Sequence, residues 1–555
     1  MILIICENNR TSKTVALAMG AETETAKGIY ASDSITVATV PVKFIRQTPL
    51  EEMTGEYPFI PEKFRMAVTM KPLERTLKPL FRDATEVVFA SDGGADAQAR
   101  FFNICRHFRV GCPRSRMWLT RLSYGAIRGA FYYRESGRQL HRLAQTGLVT
   151  KGMDLLFSYN IRRALSDGWN AGFNLSRHQV MALEYLAEIT NPADESNKPS
   201  SGYSVQLNVN NLDCYESLSV WEDEQEAEAI LTDIPPGTSV NGKLTVAETT
   251  GYNIRFHTLL TLQMDAYNNL GFMPDHTTRV AYSLYTKGLI SSPLTSCSHL
   301  PEKLRGHLET VFGDTDGYQW RENGATLNNH AIITLRTVEK GMTDEEYRLY
   351  WLIFNRMKAV MEQQPTRKFA TIEFKIGDTD FSRQWELMGE AYEVTETGVF
   401  DTTVKIDDAG VYPYDVPAAK SNSLSDVLCA LYTKAECVDK TFGANIPYSR
   451  EINDWGSIIG SLIRDGLVCL ENGKLSLTEF GGYASEPFAG GEYGETLLTW
   501  QTEANCIYTG ATTGRATIEG FSNSLFSMVK LIDPQTGLYN APKYKSVNKY
   551  SAQHS

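Results

Sequence analysis

The chain has 555 residues, more than one hydrophobic core usually supports, so we expect several domains. Its hydrophobic content of 42% and charged content of 22% are those of a globular protein, and the absence of an apolar run of 18 residues argues against a membrane-spanning helix. The net charge of −12 excludes a generally basic surface. Nine scattered cysteines without a C-x-x-C pair argue against a zinc ribbon and favour reduced thiols in the cytoplasm.

The first hundred residues predict a parallel sheet. Residues 2–6 form a short apolar run without the basic flank of a signal peptide, so we predict a buried strand followed by a helix over 12–20. Residues 86–90 predict a second buried strand, which ends at the acidic loop 91–96 and precedes a helix over 97–108. The order of strand, acidic loop and helix is typical of a parallel α/β sheet with a site at the carboxyl ends of its strands.

Residues 100–142, here called the arginine stripe, carry ten arginines, no lysine and a single acid, Glu135. The stripe therefore has a net charge of +9, which leaves −21 for the rest of the chain. Its arginines are at positions 100, 106, 109, 114, 116, 121, 128, 134, 138 and 142. Arginine without lysine favours planar, bidentate contacts in a confined groove for phosphates. Solvated helix faces with internal ion pairs are the alternative.

The remainder alternates between helical and β-rich segments. Residues 121–190 have helical periodicity, whereas 204–209 and 370–376 alternate like half-exposed strands. A helical block over 258–360 lies between those two strands, which predicts a β-rich domain interrupted by a helical insertion. Residues 422–482 are predicted to be helical, with a small unit similar to a helix-turn-helix. The polar tail after about Pro542 is expected to be disordered.

One segment resembles a catalytic motif without its nucleophile. Residues 288–296 read Gly-Leu-Ile-Ser-Ser-Pro-Leu-Thr-Ser, which resembles Gly-Leu-Ile-Thr-Tyr-Pro-Arg-Thr-Asp. Six further segments resemble motifs of the same group in the same order: 6–20, 90–98, 116–131, 154–164, 261–274 and 329–333. These are motifs of type IA DNA topoisomerases, the topoisomerase III branch in particular. The chain is identified as similar to that family over roughly residues 1–500.

The resemblance implies a multidomain α/β and α fold. A TOPRIM α/β domain would be followed by helical and β-rich domains that close into a torus, with single-stranded DNA crossing the junction of the TOPRIM domain and the third domain. The predicted domains are TOPRIM, 1–145; helical, 146–200 with 422–500; β-rich, 201–257 with 368–421; helical and nucleophile-bearing in the family, 258–367; and a C-terminal segment, 501–555.

At the reactive positions that the resemblance assigns, most of the chemistry is missing. Ser292 stands where the family has its tyrosine, and Leu294 stands where it has an arginine. Asn8 replaces a lysine and Asn329 replaces a histidine, while Glu7 remains where the family has its general acid. An unassisted serine hydroxyl is a poor nucleophile, and the sequence shows no base near Ser292. Loss of positioned cations beside a developing phosphorane costs roughly a hundredfold or more each.

The family's acidic cluster is partly kept. Asp92 and Asp96 remain, and together with Glu7 they would offer carboxylate ligands for weakly bound Mg²⁺. The alternative, which we favour, is that both aspartates serve as turn and helix N-cap residues, as the adjacent Gly-Gly suggests. We therefore expect no cofactor.

Five residues are candidates for contact with DNA. Arg116 and Arg121 belong to the arginine stripe, whose phosphate-groove interpretation the resemblance favours, and Arg163 follows in the 154–164 motif. Arg177 and Gln179 match a strand-contacting Gly-Arg-Val-Gln element of the family. His178 beside them is expected to be a structural histidine.

The sequence supports several hypotheses of function. The first is a catalytically inactive relative of type IA topoisomerases that is retained for binding single-stranded DNA or a partner protein, without a membrane, in the cytoplasm, and suited to a mobile element. The alternative is an active topoisomerase with a displaced nucleophile, in which a covalent DNA adduct would form on Ser292 or Tyr285. Tyr285 itself is expected to serve packing. A further alternative is a metal-dependent nuclease that uses Glu7, Asp92 and Asp96. Another is a complex in which a partner topoisomerase supplies the missing tyrosine.

Overall fold

The computed structural model divides the chain into two compact units. The first comprises Met1–Glu188, Arg255–Met361 and Asn422–Ser555, and the second comprises Ile189–Ile254 and Glu362–Ser421. The structure describes residues 1–50, 60–61, 64–169, 174–190, 200–209, 213–217, 219, 221, 223–232, 234–250, 254–312, 325–336, 341–361, 366–387, 397–416, 421–441, 454–488 and 493–532. The tail after Pro542, predicted to be disordered, lies outside these residues.

The first unit begins with a seven-stranded sheet in the order β2-β3-β4-β1-β7-β8-β9. Strand β1 runs parallel to β4 and β7, and β7 runs parallel to β8, which confirms the predicted parallel arrangement. A separate hairpin is formed by β5 and β6. The strands are β1 Ile2–Cys6, β2 Thr23–Ala26, β3 Ile29–Ala31, β4 Ile35–Thr39, β5 Ile45–Gln47, β6 Met66–Val68, β7 Glu86–Ser91, β8 Arg114–Trp118 and β9 Glu135–Ser136.

The helices of this region are α1 Asn9–Ala18, α2 Lys71–Asp83, α3 Ala95–His107, α4 Tyr124–Tyr132, α5 Arg138–Trp169 and α6 Arg177–Thr190. Helix α1 begins earlier than predicted because the Asn8 side chain accepts a hydrogen bond from Thr11 N, 2.8 Å, and so caps the helix. Helix α3 likewise begins at Ala95 rather than 97.

The second unit contains a closed barrel in the order β10-β11-β14-β13-β12-β15. Both segments with alternating polarity form strands of it, β10 and β13, and alternate residues such as Val205, Leu207 and Phe374 face its core. Its elements are β10 Ser200–Val209, β11 Asp213–Ser217, α7 Glu224–Leu231, β12 Ser239–Thr250, β13 Thr366–Ile376, β14 Thr379–Leu387 and β15 Gly398–Val416.

The rest of the first unit is mostly helical. Its helices are α8 Leu259–Leu270, α9 Pro274–Thr286, α10 Arg305–Phe312, α11 Asp344–Met361, α12 Leu424–Thr441, α13 Trp455–Arg464, α14 Glu479–Ser485, α15 Tyr493–Thr509 and α16 Gly514–Ile532. The helical prediction for 422–482 is wrong for one part, where β16 Val468–Glu471 and β17 Lys474–Leu477 form a hairpin. Asn472 and Gly473 both have positive φ there, the signature of a tight hairpin turn.

A shared core fixes the edge of the sheet against the helices. Ile4 of β1 and Met117 of β8 pack in one hydrophobic cluster with Leu284 of α9, Ile290 and Ile353 of α11. Burial of this apolar surface holds the loop after α9 against the carboxyl ends of the strands. The fold thereby brings the segment 288–296 to the acidic loop.

Candidate functional site

The candidate site lies where β1, β7 and β8 end. Because these strands are parallel, Glu7 after β1, Asp92 after β7 and Thr120 after β8 come to the same edge of the sheet. Ser91, the last residue of β7, donates a hydrogen bond to Glu7 Oε2 over 2.9 Å. The edge that the sequence predicted as the site is therefore assembled.

The segment 288–296 reaches this edge as an irregular loop. Gly288 adopts a left-handed conformation with φ 70°, directly after the end of α9 at Thr286. Arg336 donates hydrogen bonds to the carbonyls of Lys287 and Gly288, 3.0 and 3.2 Å, and so stabilises the end of the helix. A side chain at position 288 would approach Arg336 Nη2 to 2.7 Å, which explains the glycine of the motif.

Ser292 lies against the acidic loop. Its backbone N–H donates to Thr120 O over 2.8 Å, and its hydroxyl donates to Asp92 Oδ2 over 2.9 Å. Only 2% of Ser292 is exposed, and Asp92 is also buried. The expectation that no base lies near Ser292 is wrong, because Asp92 comes from 200 positions away in the sequence. A carboxylate is nevertheless a weak base for a serine hydroxyl, since their ordinary pKa values are far apart.

Tyr282 shares the same carboxylate. Its hydroxyl donates to Asp92 Oδ1 and Oδ2, 3.2 and 3.1 Å. Burial first, and then the charge of Asp92, raise the pKa of Tyr282 well above 10, so the phenol is a neutral donor near neutral pH. Tyr285 instead is buried and donates to Leu119 O, which confirms its packing role. If a tyrosine other than one at position 292 acted at this site, it would be Tyr282, which lies about one turn before Tyr285 on α9.

The three predicted metal ligands do not converge. Arg100 lies between two of them: it donates to Glu7 Oε1 from Nε and Nη2, 2.9 and 2.7 Å, and from Nη1 to Asp96. Burial lowers the pKa of Arg100, but the two carboxylates outweigh this and raise it. Because Asp92 faces the hydroxyls and Arg100 occupies the space between Glu7 and Asp96, this site does not fit Mg²⁺. Within the described ranges, no group of three His, Cys, Asp or Glu side chains is arranged to hold a metal.

The predicted capping role of the aspartates is also wrong. The N-cap of α3 is Gly94, which makes no side-chain capping bond, and Asp96 lies inside the first turn. The turn is held instead by Ser91 Oγ, which accepts from Gly93 N over 3.1 Å. Asp92 serves the two hydroxyls because the chain leaves β7 towards the loop at 288–296.

The other reactive positions bring no positive charge to the edge. Asn8 caps α1, and Leu294 is half-buried. Asn329 Oδ1 accepts a hydrogen bond from Thr295 Oγ1 over 3.0 Å. The neighbouring His330 is buried, with Nδ1 2.8 Å from Ala331 O. None of these positions therefore stabilises a developing phosphorane by charge.

Arg116 does not line an exposed groove, so its position does not agree with the predicted contact with DNA. It is fully buried, and its guanidinium donates to Gly93 O and to Gln98 Oε1, the latter over 2.9 Å. The same group stacks on Trp118 at 3.6 Å. Arg116 therefore holds the acidic loop from inside, because β8 places it in the interior of the sheet.

Arg177 and Gln179 also act in the interior, contrary to the prediction. Arg177 is fully buried, donates from Nε to Asp154 Oδ1 over 2.9 Å and from Nη2 to Gln501 over 3.2 Å. Gln179 donates to Ser461 Oγ over 3.0 Å. These residues, here called the helical cluster, join α5, α6, α13 and α15. Arg163, the remaining candidate on α5, is exposed.

The arginine stripe is divided among several roles, so it does not form a continuous groove. Arg100 pairs with Glu7 and Asp96, and Arg134 forms a bidentate pair with Glu86, 2.8 and 3.0 Å. The alternative of internal ion pairs thus holds for these members. Their partners were not visible in sequence, apart from Asp96, which lies four residues before Arg100 on α3.

Arg121 differs from these arginines. It lies in the loop between β8 and α4, next to Thr120, whose carbonyl binds Ser292 N. The side chain is half-buried, its Nε is buried without an acceptor, and no carboxylate in the described part of the chain lies within 4 Å. Burial lowers its pKa, with no nearby acid to oppose this.

Comparisons with known proteins agree with this architecture. A family model described as DNA topoisomerase matches residues 139–391. The DNA topoisomerase 3 of Staphylococcus aureus (strain MRSA252) is 22% identical over 91% of this chain and 76% of that protein. The DNA topoisomerase 3 of Staphylococcus saprophyticus is 22% identical over 59% of this chain, and the match spans half of that relative's length.

The fold has a solved counterpart. The full-length topoisomerase I from Thermotoga maritima superimposes with a TM-score of 0.66 at 16% sequence identity, covering 96% of this chain and 91% of that one. This confirms the predicted multidomain α/β and α fold. Among the described helices, none is long and apolar enough to cross a membrane. With the ordered motifs and the strand edge that brings them together, these likenesses support the resemblance of the chain to the type IA DNA topoisomerase family.

Proposed function

We propose that the protein binds single-stranded DNA at the edge of its parallel sheet and does not cleave it. The observation that carries this proposal is Arg121, a half-buried cation without a carboxylate partner among the described residues, in the loop where Thr120 O accepts from Ser292 N. A desolvated guanidinium without a partner is unfavourable in the free protein, and a phosphate oxygen would supply the missing acceptor. An anionic ligand therefore explains the presence of this group better than a contribution to stability does.

The same edge lacks the means for strand cleavage at Ser292. The hydroxyl faces the carboxylate of Asp92, and Arg100 is already neutralised by Glu7 and Asp96. Arg121 would bind a phosphate of the strand, but it does not remove the negative charge that Asp92 places against the Ser292 hydroxyl. Phosphoryl transfer needs positive charge where the phosphorane develops, and a carboxylate beside the nucleophile repels the phosphate. These contacts support a binding role in which the family's scaffold is kept and its reaction is lost.

The test uses a labelled single-stranded oligonucleotide with the wild type, Arg121→Gln and, as a control of equal charge change, the exposed Arg106→Gln. We expect the wild type to bind, Arg121→Gln to bind about tenfold more weakly, and Arg106→Gln to change the affinity less than twofold. After denaturation no DNA should remain attached to the protein. A covalent adduct in the wild type would overturn the absence of cleavage, and equal affinities for all three proteins would overturn the site. Absence of all binding would favour a partner protein as the ligand.

A second candidate is strand cleavage through Tyr282, favoured by the hydrogen bonds of its phenol to Asp92. The phenol oxygen would bond to phosphorus while the bond from phosphorus to the sugar oxygen breaks; the phenol proton would pass to Asp92, and Asp92 would give it to the leaving sugar oxygen. Incubation of wild type, Tyr282→Phe and Ser292→Ala with DNA separates the candidates. An adduct that survives in Ser292→Ala but disappears in Tyr282→Phe would establish this route, and absence of an adduct from all three would exclude it.

A further inference from the structure

We propose that the exposed faces of α1 and α4 form a second contact surface for single-stranded DNA, on which bases stack. This surface, here called the tyrosine surface, consists of Tyr124, Arg128, Tyr132 and Tyr133 of the α4 region with Arg10 and Lys13 of α1. The inference rests on the proposed function, because it extends the path of a strand bound at Arg121.

The first observation is the exposure of three aromatic rings, two on the short helix α4 and one on its C-cap residue. Tyr124 is 49% exposed, and Tyr132 and Tyr133 are each 76% exposed. Phenol rings are ordinarily packed, so a cluster of them in water marks a surface that binds something. Tyr132 and Tyr133 also lie edge to face with their centroids 4.9 Å apart. Such rings offer flat faces at right angles to each other.

The second observation is the spacing of residues on α4. Tyr124, Arg128 and Tyr132 follow at intervals of four, so they lie one above the other on one exposed face. Gly125 and Gly129 beside them have open space around the position of a side chain. This leaves room for a planar base to approach the rings. The face extends about 12 Å from the first tyrosine to the last, or roughly two to three nucleotides.

The third observation is charge. Neither α1 nor α4 contains an aspartate or a glutamate, although the whole chain has a net charge of −12. Arg10 and Lys13 are exposed on α1, and Arg128 is exposed on α4, where its Nε donates to Ala18 O over 2.7 Å and ties the two helices together. Cations interleaved with exposed aromatic rings favour a flexible polyanion with bases, which is single-stranded nucleic acid. An acidic protein would use the cations but would not need three open ring faces.

The fourth observation is position. Helix α4 begins at Tyr124, three residues after Arg121, and Thr120 in the same loop binds the backbone of Ser292. A strand whose phosphate contacts Arg121 would therefore continue directly onto the tyrosine surface. The two contacts use different chemistry, charge at Arg121 and stacking on α4.

The experiment measures the affinity for a fluorescent 20-nucleotide oligo(dT) and for a chain of abasic sites of the same length. The variants are a triple replacement of Tyr124, Tyr132 and Tyr133 by alanine, the same three by phenylalanine, and Tyr347→Ala. Tyr347 on α11 is the matched control, because its ring is 47% exposed. The triple alanine variant should bind oligo(dT) about tenfold more weakly, and its preference for oligo(dT) over the abasic chain should disappear. The phenylalanine variant and Tyr347→Ala should remain within about twofold of the wild type.

Each other result has a definite meaning. If the triple alanine variant binds as the wild type does while Arg121→Gln is weaker, the tyrosine surface is refuted and the proposed function stands. If the wild type itself binds no DNA, both are refuted. If alanine changes only the molar mass in light scattering and not the affinity for DNA, the surface joins copies of this chain and the inference is overturned. Circular dichroism of each variant verifies that α1 and α4 still fold.

Discussion

Two polar regions of the first unit contain motif residues of the family, and they differ in what their charges contact. In the helical cluster, Arg177 is buried against Asp154 and Gln501, and Gln179 joins another helix. At the edge of the sheet, Asp92 accepts hydrogen bonds from two hydroxyls, and Arg121 has no carboxylate partner in the part of the chain that the structure describes. Arginines thus hold helices together in the helical cluster, whereas at the edge of the sheet an arginine remains that could bind an anion. Similarity to a motif does not distinguish these roles, whereas burial and partners do.

The largest effect should come from the helical cluster. Replacement of Arg177 by methionine leaves Asp154 without the partner that holds its pKa below the ordinary value against the opposing effect of burial. We expect the free energy of unfolding to fall by about 3 kcal/mol, measured by urea titration followed by circular dichroism. Arg106→Met on the surface should change it by less than about 0.5 kcal/mol. A similar small change for Arg177→Met would mean that the cluster does not hold the helices together.

A pH dependence should follow from His178 in the same region. Burial, and then the charge of Arg177, lower its pKa from 6.5 to about 4. Because the pKa is lower in the folded than in the unfolded state, the stability contribution is present above pH 6.5 and is lost as the pH falls towards 4. The loss should be about 2–3 kcal/mol. Comparison of wild type and His178→Gln by urea titration at pH 7, 5.5 and 4 isolates it, and parallel curves would contradict the assignment.

At the sheet edge a smaller effect is expected for Asp92→Asn. The substitution removes a charged acceptor for Tyr282 and Ser292, so the free energy of unfolding should fall by about 1–2 kcal/mol. The pKa of Tyr282 should decrease, because the charge of Asp92 contributes to its elevation. Phenol absorbance during an alkaline titration measures this, with Tyr282→Phe to identify the signal. In the wild type the contribution of Tyr282 is present below about pH 10 and is lost as the pH rises through its higher folded value.

The smallest change in stability is expected at Arg121. Replacement by methionine removes a desolvated charge without a carboxylate partner, so the free energy of unfolding should stay the same or rise by up to about 1 kcal/mol. Affinity for single-stranded DNA should nevertheless fall, and the slope of its dependence on salt concentration should decrease by about 0.7. A destabilisation as large as that of Arg177→Met would show that the two regions do not differ in this way.

Local patterns predicted much of the fold. The apolar runs at 2–6 and 86–90 indicated parallel strands, and alternation at 204–209 and 370–376 indicated strands of what is now a closed barrel. These predictions succeed because the alternation of buried and exposed positions along a strand depends only on residues that are close in sequence. The hairpin at 468–477 was not predicted, although Asn472-Gly473 is a dipeptide typical of a tight hairpin turn, because it lies between helical segments.

The location of the site could be predicted from the sequence, but the contacts within it could not. Parallel strands bring Glu7 and Asp92 to one edge, and this follows from their order along the chain. The contact of Tyr282 and Ser292 with Asp92 joins residues about 190 to 200 positions apart, and no short-range pattern contains it. Likewise Arg100, one arginine among ten, gave no sign that it would link Glu7 to Asp96.

By itself the sequence determined the relationship to type IA topoisomerases, the strand edge and the loss of tyrosine at position 292, because these depend on residue order and identity. The tertiary structure decided which arginines form ion pairs inside the protein and which do not. Arg116 and Arg121 are five residues apart and chemically identical, yet Arg116 is enclosed by the acidic loop, whereas Arg121 has no carboxylate beside it among the residues described. The free energy of a charged group depends on its solvent exposure and its partners, and both are set by distant parts of the chain.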